Sequence, residues 1–189
     1  MKKSLGVKPY LFPMPVLMIA TYDENGTIDV MNMAWGGISD NDKVTCNISE
    51  GHKTTKNIKA RQAFTIGIAD TTHLAEADFF GSASANKLTN KFERTGMHAL
   101  KSQNVDAPVI LEWPLTVECT VLEAAQNVTG YRVVGKIINV LADESILTSE
   151  GEVDPSKLNA FAFSPFDNAY YALGTRIGSA WKSGKKFLS

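Results

Sequence analysis

Hydrophobic and polar positions along this chain change with short periods, and strand-like stretches outnumber helical ones. The apolar run VLMIATY at 16–22, the turn residues DENG at 23–26 and the stretch TIDVMNMAW at 27–35 together predict a hairpin. DND at 40–42 marks a second turn. KVTCNIS at 43–49 then alternates, with Val44, Cys46 and Ile48 on one face and Thr45, Asn47 and Ser49 on the other. TTKNIKARQ at 54–62 predicts a short helix, and AFTIGIA at 63–69 a further strand.

From 72 to 97 the pattern is helical but broken. HLAEADFFG reads as one helix ended by Gly81, NKLTNKFERTG as a second ended by Gly96, and GSASAN as a flexible link between them. VILEWPLTVECTVLEAAQ at 109–126 predicts one long strand, with Pro114 at a bulge or edge. GYRVVGKIINVLAD at 130–143 predicts another, residues 146–158 a polar turn, and AFAFS and AYYALGTRIGSAW close the chain. Strands and helices do not alternate regularly. The expected class is therefore mainly β (α+β), a β-barrel with short helical insertions, rather than a parallel α/β fold.

A length of 189 residues suits a single domain over 1–189 with a sizeable core. The net charge of −1 argues against a general nucleic-acid binder, where a basic excess is expected. No run approaches the ~20 apolar residues of a membrane span. Lys2 and Lys3 precede an apolar stretch that is short and broken by Pro13 and Pro15, so no secretion signal is read and the cytoplasm is the expected location. Cys46 and Cys119 form no CxxC or Cys/His cluster and are expected as reduced, buried thiols.

Several chemistries lack their residues. His52, His73 and His98 have no metal-ligand spacing, so no metal site is expected. There is no G-x-S-x-G elbow and no G-x-G-x-x-G turn, and GSAWKSGKK departs from the P-loop in spacing and in its missing Ser/Thr. No catalytic side chain is assigned. Any redox chemistry is expected to belong to a bound cofactor.

Two stretches suggest such a site. Residues 51–69 contain no Asp or Glu but hold His52, Lys53, Lys56, Lys59 and Arg61. A helix start with free N–H groups, the Thr54 and Thr55 hydroxyls and a lysine suits a phosphate. An ordinary solvated helix capped by Thr54 has the same sequence. Trp35 ends a strand and is followed by Gly36 and Gly37, which permit close approach to the backbone. It reads either as core or as one wall of a site in which Asn32 meets the polar edge of a planar ring.

The stretches PMPVLMIATYDENGTIDVMNMAW and CNISEGHKTTKNIKARQAFTIGIA carry a resemblance that continues through ANKLTNKFERTGM, APVILEWPLTVECTV, GYRVVGKIINVLAD and YYALGTRIGSAW. Together they resemble the flavin reductase-like family with the FMN-binding split β-barrel, and most closely its flavoredoxin branch. The resemblance implies an FMN-binding homodimer. It sets Asn32, Met33, Ala34 and Trp35 along the isoalloxazine, Asn47 and Ser49 toward the ribityl chain and phosphate, and Lys53, Thr54 and Thr55 on the phosphate. It brings Lys91 near the ring and makes Phe163 a distal wall. Tyr131 stands where relatives often carry histidine, which leaves that ring-edge contact and the redox partner open. Three functions are consistent with this: an NAD(P)H-dependent flavin reductase, a flavoredoxin-type electron carrier with a redox protein partner, and a non-redox split-barrel module.

Overall fold

A computed structural model describes residues 1–128 and 130–188. The first strands, β1 (Leu17–Tyr22) and β2 (Ile28–Met33), form the expected hairpin. Its turn is built by Asp23, whose Oδ1 accepts from the amides of Asn25 and Thr27, both at 2.9 Å. A short strand β3 (Gly36–Asp40) and β4 (Lys43–Ile48) make a second hairpin. Helix α1 (Lys53–Arg61) leads into β5 (Ala63–Ile68), and α2 (Leu74–Ser82) follows. A small hairpin of β6 (Ala99–Lys101) and β7 (Pro108–Ile110) precedes the two longest strands, β8 (Leu115–Asn127) and β9 (Gly130–Ala142). The one-turn helix α3 (Pro155–Leu158) and the hairpin of β10 (Phe161–Ser164) and β11 (Ala169–Ala172) complete the fold.

Seven strands form one sheet in the order β2-β1-β5-β8-β9-β4-β3, each antiparallel to its neighbours. Register shifts at Glu118/Cys119 and Val121/Glu123 bend the long β8–β9 pair, and the sheet curls into an open, split barrel. β1 lies between β2 and β5, second from one edge, and is buried on both faces. Leu17 and Ile19 join a cluster with Val44, Cys46, Phe64 and Val133. Met18 and Ala20 join another with Val30, Phe80, Trp113 and Phe161. Burial on both faces accounts for the unbroken apolar run in β1, where a half-solvated strand would alternate. Each large apolar side chain buried this way contributes roughly 1.5–3 kcal/mol.

Several boundaries differ from the expectation. β3 starts at Gly36 itself, which pairs with Cys46, so the glycine pair opens a strand instead of breaking one. A Cβ on Gly36 would meet Thr45 O and Met33 Cε at 2.7 Å, so the close approach there is made by the protein's own chain. The helix expected over 86–96 is a set of turns ending in one 3-10 turn, Glu93–Thr95. Asn and Thr there bond locally in competition with a helix, and Lys91 is drawn inside. Gly96, at φ 68°, does end that segment. The strand expected over 109–126 is split between β7 and β8 at residues 111–114, where Trp113 turns inward against Gly67. Pro114 lies before β8, not within a bulge. The polar turn at 146–158 contains α3 and the end of a 3-10 turn, Glu144–Ile146.

Cys46 and Cys119 are free and fully buried. Burial pushes both thiols up to about 12, so neither is a thiolate near neutrality. No helix among the described residues is long and apolar enough to cross a membrane.

Candidate cofactor-binding groove

A turn between β2 and β3 places Trp35 at the surface. Its backbone carbonyl is held by the amide of Asn47 on β4 at 2.8 Å, which fixes the crossing of the two hairpins. The indole is 53% exposed, so Trp35 is not a core residue. It faces a cavity of about 520 Å3 walled also by Met33 at the end of β2 and Ala34 just after it, and by Asn47 and Ile48 at the end of β4 with Ser49 just after them. Gly130 and Tyr131 at the start of β9 close the far side. Gly130 has no room for a side chain, because a Cβ would meet Ile48 O at 2.7 Å. The Tyr131 hydroxyl donates to Ala124 O at 3.0 Å, so it is used within the β8–β9 hairpin and only the ring is offered to the cavity.

A second cavity, of about 270 Å3, lies at the start of α1. Met31, Asn32 and His52 line both, so the two form one groove. The second cavity is walled by Asp29, Lys53 and Thr54 on one side and by residues 81–85 on the other, with Lys91 at its base. Lys91 is buried, and its Nζ donates to Val30 O at 2.7 Å and Phe80 O at 2.8 Å, tying α2 to β2. Burial lowers its pKa from the usual lysine value, partly countered by the Asp29 carboxylate.

The side chains expected to hold an anion are engaged within the protein. Lys53 Nζ pairs with Asp23 Oδ2 at 2.9 Å. The Thr54 hydroxyl donates to Asp29 Oδ2 at 2.6 Å, and the Thr55 hydroxyl to Ser49 O at 2.7 Å. Thr54 is therefore not the helix cap: His52 occupies that position and makes no side-chain capping bond. Thr55 is fully buried and lies outside the groove. What remains for an anion is the first turn of α1. Its initial amides have no intrahelical acceptors, the first such bond being Lys56 N to His52 O at 3.3 Å. The His52 ring and Ser84 stand beside it.

Phe163 also lies outside the groove lining. It sits behind Trp35, with ring centroids 6.4 Å apart. Of the residues expected at a site, Asn32, Met33, Ala34, Trp35, Asn47 and Ser49 are brought together with Lys53, Thr54, Lys91 and Tyr131. Met31, the wall at 81–85 and Asn127 also line the groove, though none was among the expected site residues. GSASAN is not merely a link: Asn86 Nδ2 donates to Gly51 O at 2.8 Å and holds the segment over the start of α1. Its small and hydroxyl residues were the available signal.

Residues 10–156 match the flavin reductase like domain. The chain belongs to the flavin reductase-like family. Among solved structures it is similar to the flavoredoxin of Desulfovibrio vulgaris (Miyazaki F), at 30% identity and TM-score 0.92 over 97% of this chain and 100% of that one. The flavoredoxin of Methanosarcina acetivorans matches at 24% identity and TM-score 0.90, over 99% of each chain. An FMN-binding domain of a flavin reductases-like enzyme from Shewanella baltica OS155 matches at 18% identity and TM-score 0.74, over 87% of this chain and 88% of that one. These likenesses agree with the split-barrel fold of the family.

Proposed function

We propose that this flavin reductase-like chain binds FMN in the groove and is an NAD(P)H-dependent oxidoreductase that hands electrons to a free flavin or another acceptor. The observation that carries the reading is the continuity of the groove from the α1 N-terminus to the Trp35 indole. The residues present fit FMN. The first amides of α1, His52 and Ser84 suit its phosphate. Asn47 and Ser49 lie along the wall for the ribityl chain, and Met33, Ala34, Trp35 and Tyr131 present an apolar and aromatic surface to a planar ring. Lys53 and Lys91 face Asp23 and Asp29, so charge nearly balances around the smaller cavity. Neutral donors then account for most of the phosphate affinity.

Bound FMN supplies the hydride and electron chemistry. The chain's part is to orient the cofactor and to leave one approach open through the exposed Trp35 side. The reading includes a homodimer. It is favoured by the apolar side chains exposed on the sheet, Ile38 at 71%, Ile138 at 44% and Val140 at 49%. A monomer in sedimentation at micromolar concentration contradicts that part.

A flavoredoxin-type electron carrier, reduced by a protein partner, is the second reading. The 30% identity with a flavoredoxin over nearly the whole chain favours it. Anaerobic mixing of the FMN-loaded protein with NADH and with NADPH separates the two. Rapid bleaching of the flavin supports the reductase. No bleaching with either nucleotide contradicts it and leaves the carrier.

A further inference from the structure

Asn32 stands where the two halves of the groove meet. Both hydrogens of its amide are committed to the protein. Nδ2 donates to Ala77 O at 3.0 Å and to the Tyr170 hydroxyl at 3.3 Å. A backbone carbonyl can only accept. Tyr170 has one hydrogen, which it donates to Asp78 Oδ1 at 3.1 Å, so its oxygen is free to accept from Asn32. The direction of each bond from Asn32 through Tyr170 to Asp78 is thus dictated by an acceptor-only carboxylate at the end of the series. Burial, and then Asp78, push the Tyr170 phenol up to about 12, so the hydrogen is retained near neutrality.

The amide therefore cannot turn over without opposing oxygen to oxygen at Ala77. Among the described residues nothing donates to its Oδ1, which is left to the groove. Gly81 lies against the same side chain, where an added Cβ would come within 3.2 Å of Asn32 Cβ. Tyr170 is itself seated by the rings of Phe161 and Phe163, at 5.3 and 6.0 Å.

We infer that Tyr170 and Asp78 are positioning residues that lock the Asn32 amide with its oxygen outward, and that this acceptor favours the reduced flavin ring over the oxidised one. The inference rests on the FMN reading above. An oxidised isoalloxazine carries one N–H, at the far end of its pyrimidine ring, and otherwise presents acceptors along its polar edge. Two-electron reduction adds one N–H donor at the central ring, where the oxidised form has a lone pair. A fixed acceptor midway along the groove repels the lone pair of the first form and pairs with the N–H of the second.

The test is the midpoint potential of bound FMN in the unaltered protein, in Tyr170→Phe and in Asp78→Ala. Tyr170→Phe keeps the ring packing and removes the acceptor that holds Nδ2. Asp78 is exposed, so its replacement spares the core if the first variant fails to fold. The expected result is a lower potential in each variant. A tenfold loss of preference for the reduced ring corresponds to ~30 mV for a two-electron couple. An unchanged potential in folded, flavin-bound variants overturns the inference. So does equal weakening of both redox forms, which assigns the accepted proton to a ribityl hydroxyl. If the unaltered chain takes up no flavin, this inference and the FMN reading fail together, whereas flavin uptake with unchanged potentials sinks this one alone.

Discussion

Lys53 Nζ lies 2.9 Å from Asp23 Oδ2, joining the start of α1 to the β1–β2 turn. Arg61, at the other end of the helix, donates to the backbone carbonyl of the same aspartate through Nη2 at 2.5 Å and Nε at 3.1 Å. Asp23 thus clamps both ends of the helix whose first turn borders the groove.

The clamp predicts an acid-sensitive contribution to stability. Burial acts to raise the Asp23 pKa, but the bonds from Lys53, Thr27 and Asn25 outweigh it and hold the carboxyl at about 2. Its folded value is below the unfolded one, so the contribution is complete above about pH 4 and is lost as pH falls through 2. Asp23→Asn should lower unfolding free energy at pH 7 by roughly 2 kcal/mol. Denaturant melts of both proteins at pH 7 and pH 2 check this. A difference that persists undiminished at pH 2 counts against the clamp.

Glu118 offers a second case, remote from the groove lining. It is fully buried and accepts from Ser102 Oγ at 2.5 Å and from the side-chain amides of Asn104 and Asn139, both at 2.8 Å. These bonds outweigh burial and lower its pKa. Glu118→Gln replaces one acceptor with a donor that faces donors, and should cost about 1.5–3 kcal/mol. Thermal melts measure the loss, and FMN affinity at a temperature where the variant is folded should be unchanged.

Trp35 tests the site against the core. A buried tryptophan cut to alanine costs about 3–5 kcal/mol. Trp35 is half-exposed, so Trp35→Ala should destabilise the apoprotein by less than about 1.5 kcal/mol. It should also brighten the fluorescence of bound FMN and weaken its binding. A large drop in apo stability with unchanged quenching sends Trp35 back to the scaffold.

Most of the longer strands and the β1–β2 hairpin were legible because burial imposes short-period patterns; pairings such as β1–β5 and β4–β9 join strands far apart in the chain and were not. Val44, Cys46 and Ile48 do face the core while Asn47 is exposed. The Lys91 segment was not legible as turns, because its helical spacing of apolar residues comes from packing Phe92 and Met97 into the core. Lys53, Thr54 and Thr55 have the composition of an anion site, but sequence cannot show that Asp23, Asp29 and Ser49 O already occupy their side chains. Trp35 was ambiguous for the same reason: exposure depends on what crosses the strand end, and that is a tertiary property. Asn32 was singled out, yet its partners Tyr170 and Ala77 lie far along the chain.

At the phosphate end, the donors left free predict which variants matter. His52→Ala and Ser84→Ala should each weaken FMN by about ten- to a hundredfold, as expected for one charge-assisted bond of roughly 1.5–3 kcal/mol. Ser84→Ala should leave riboflavin binding unchanged, because riboflavin lacks the phosphate and Ser84 lines only the smaller cavity. Equal losses for both flavins, read by fluorescence titration, contradict this placement.

Calorimetric titration of FMN into the flavin-free protein tests the central claim most directly. The account predicts saturable binding of one FMN per chain, tighter than riboflavin by at least tenfold. No saturable binding of FMN, or equal affinity for the two flavins, contradicts it.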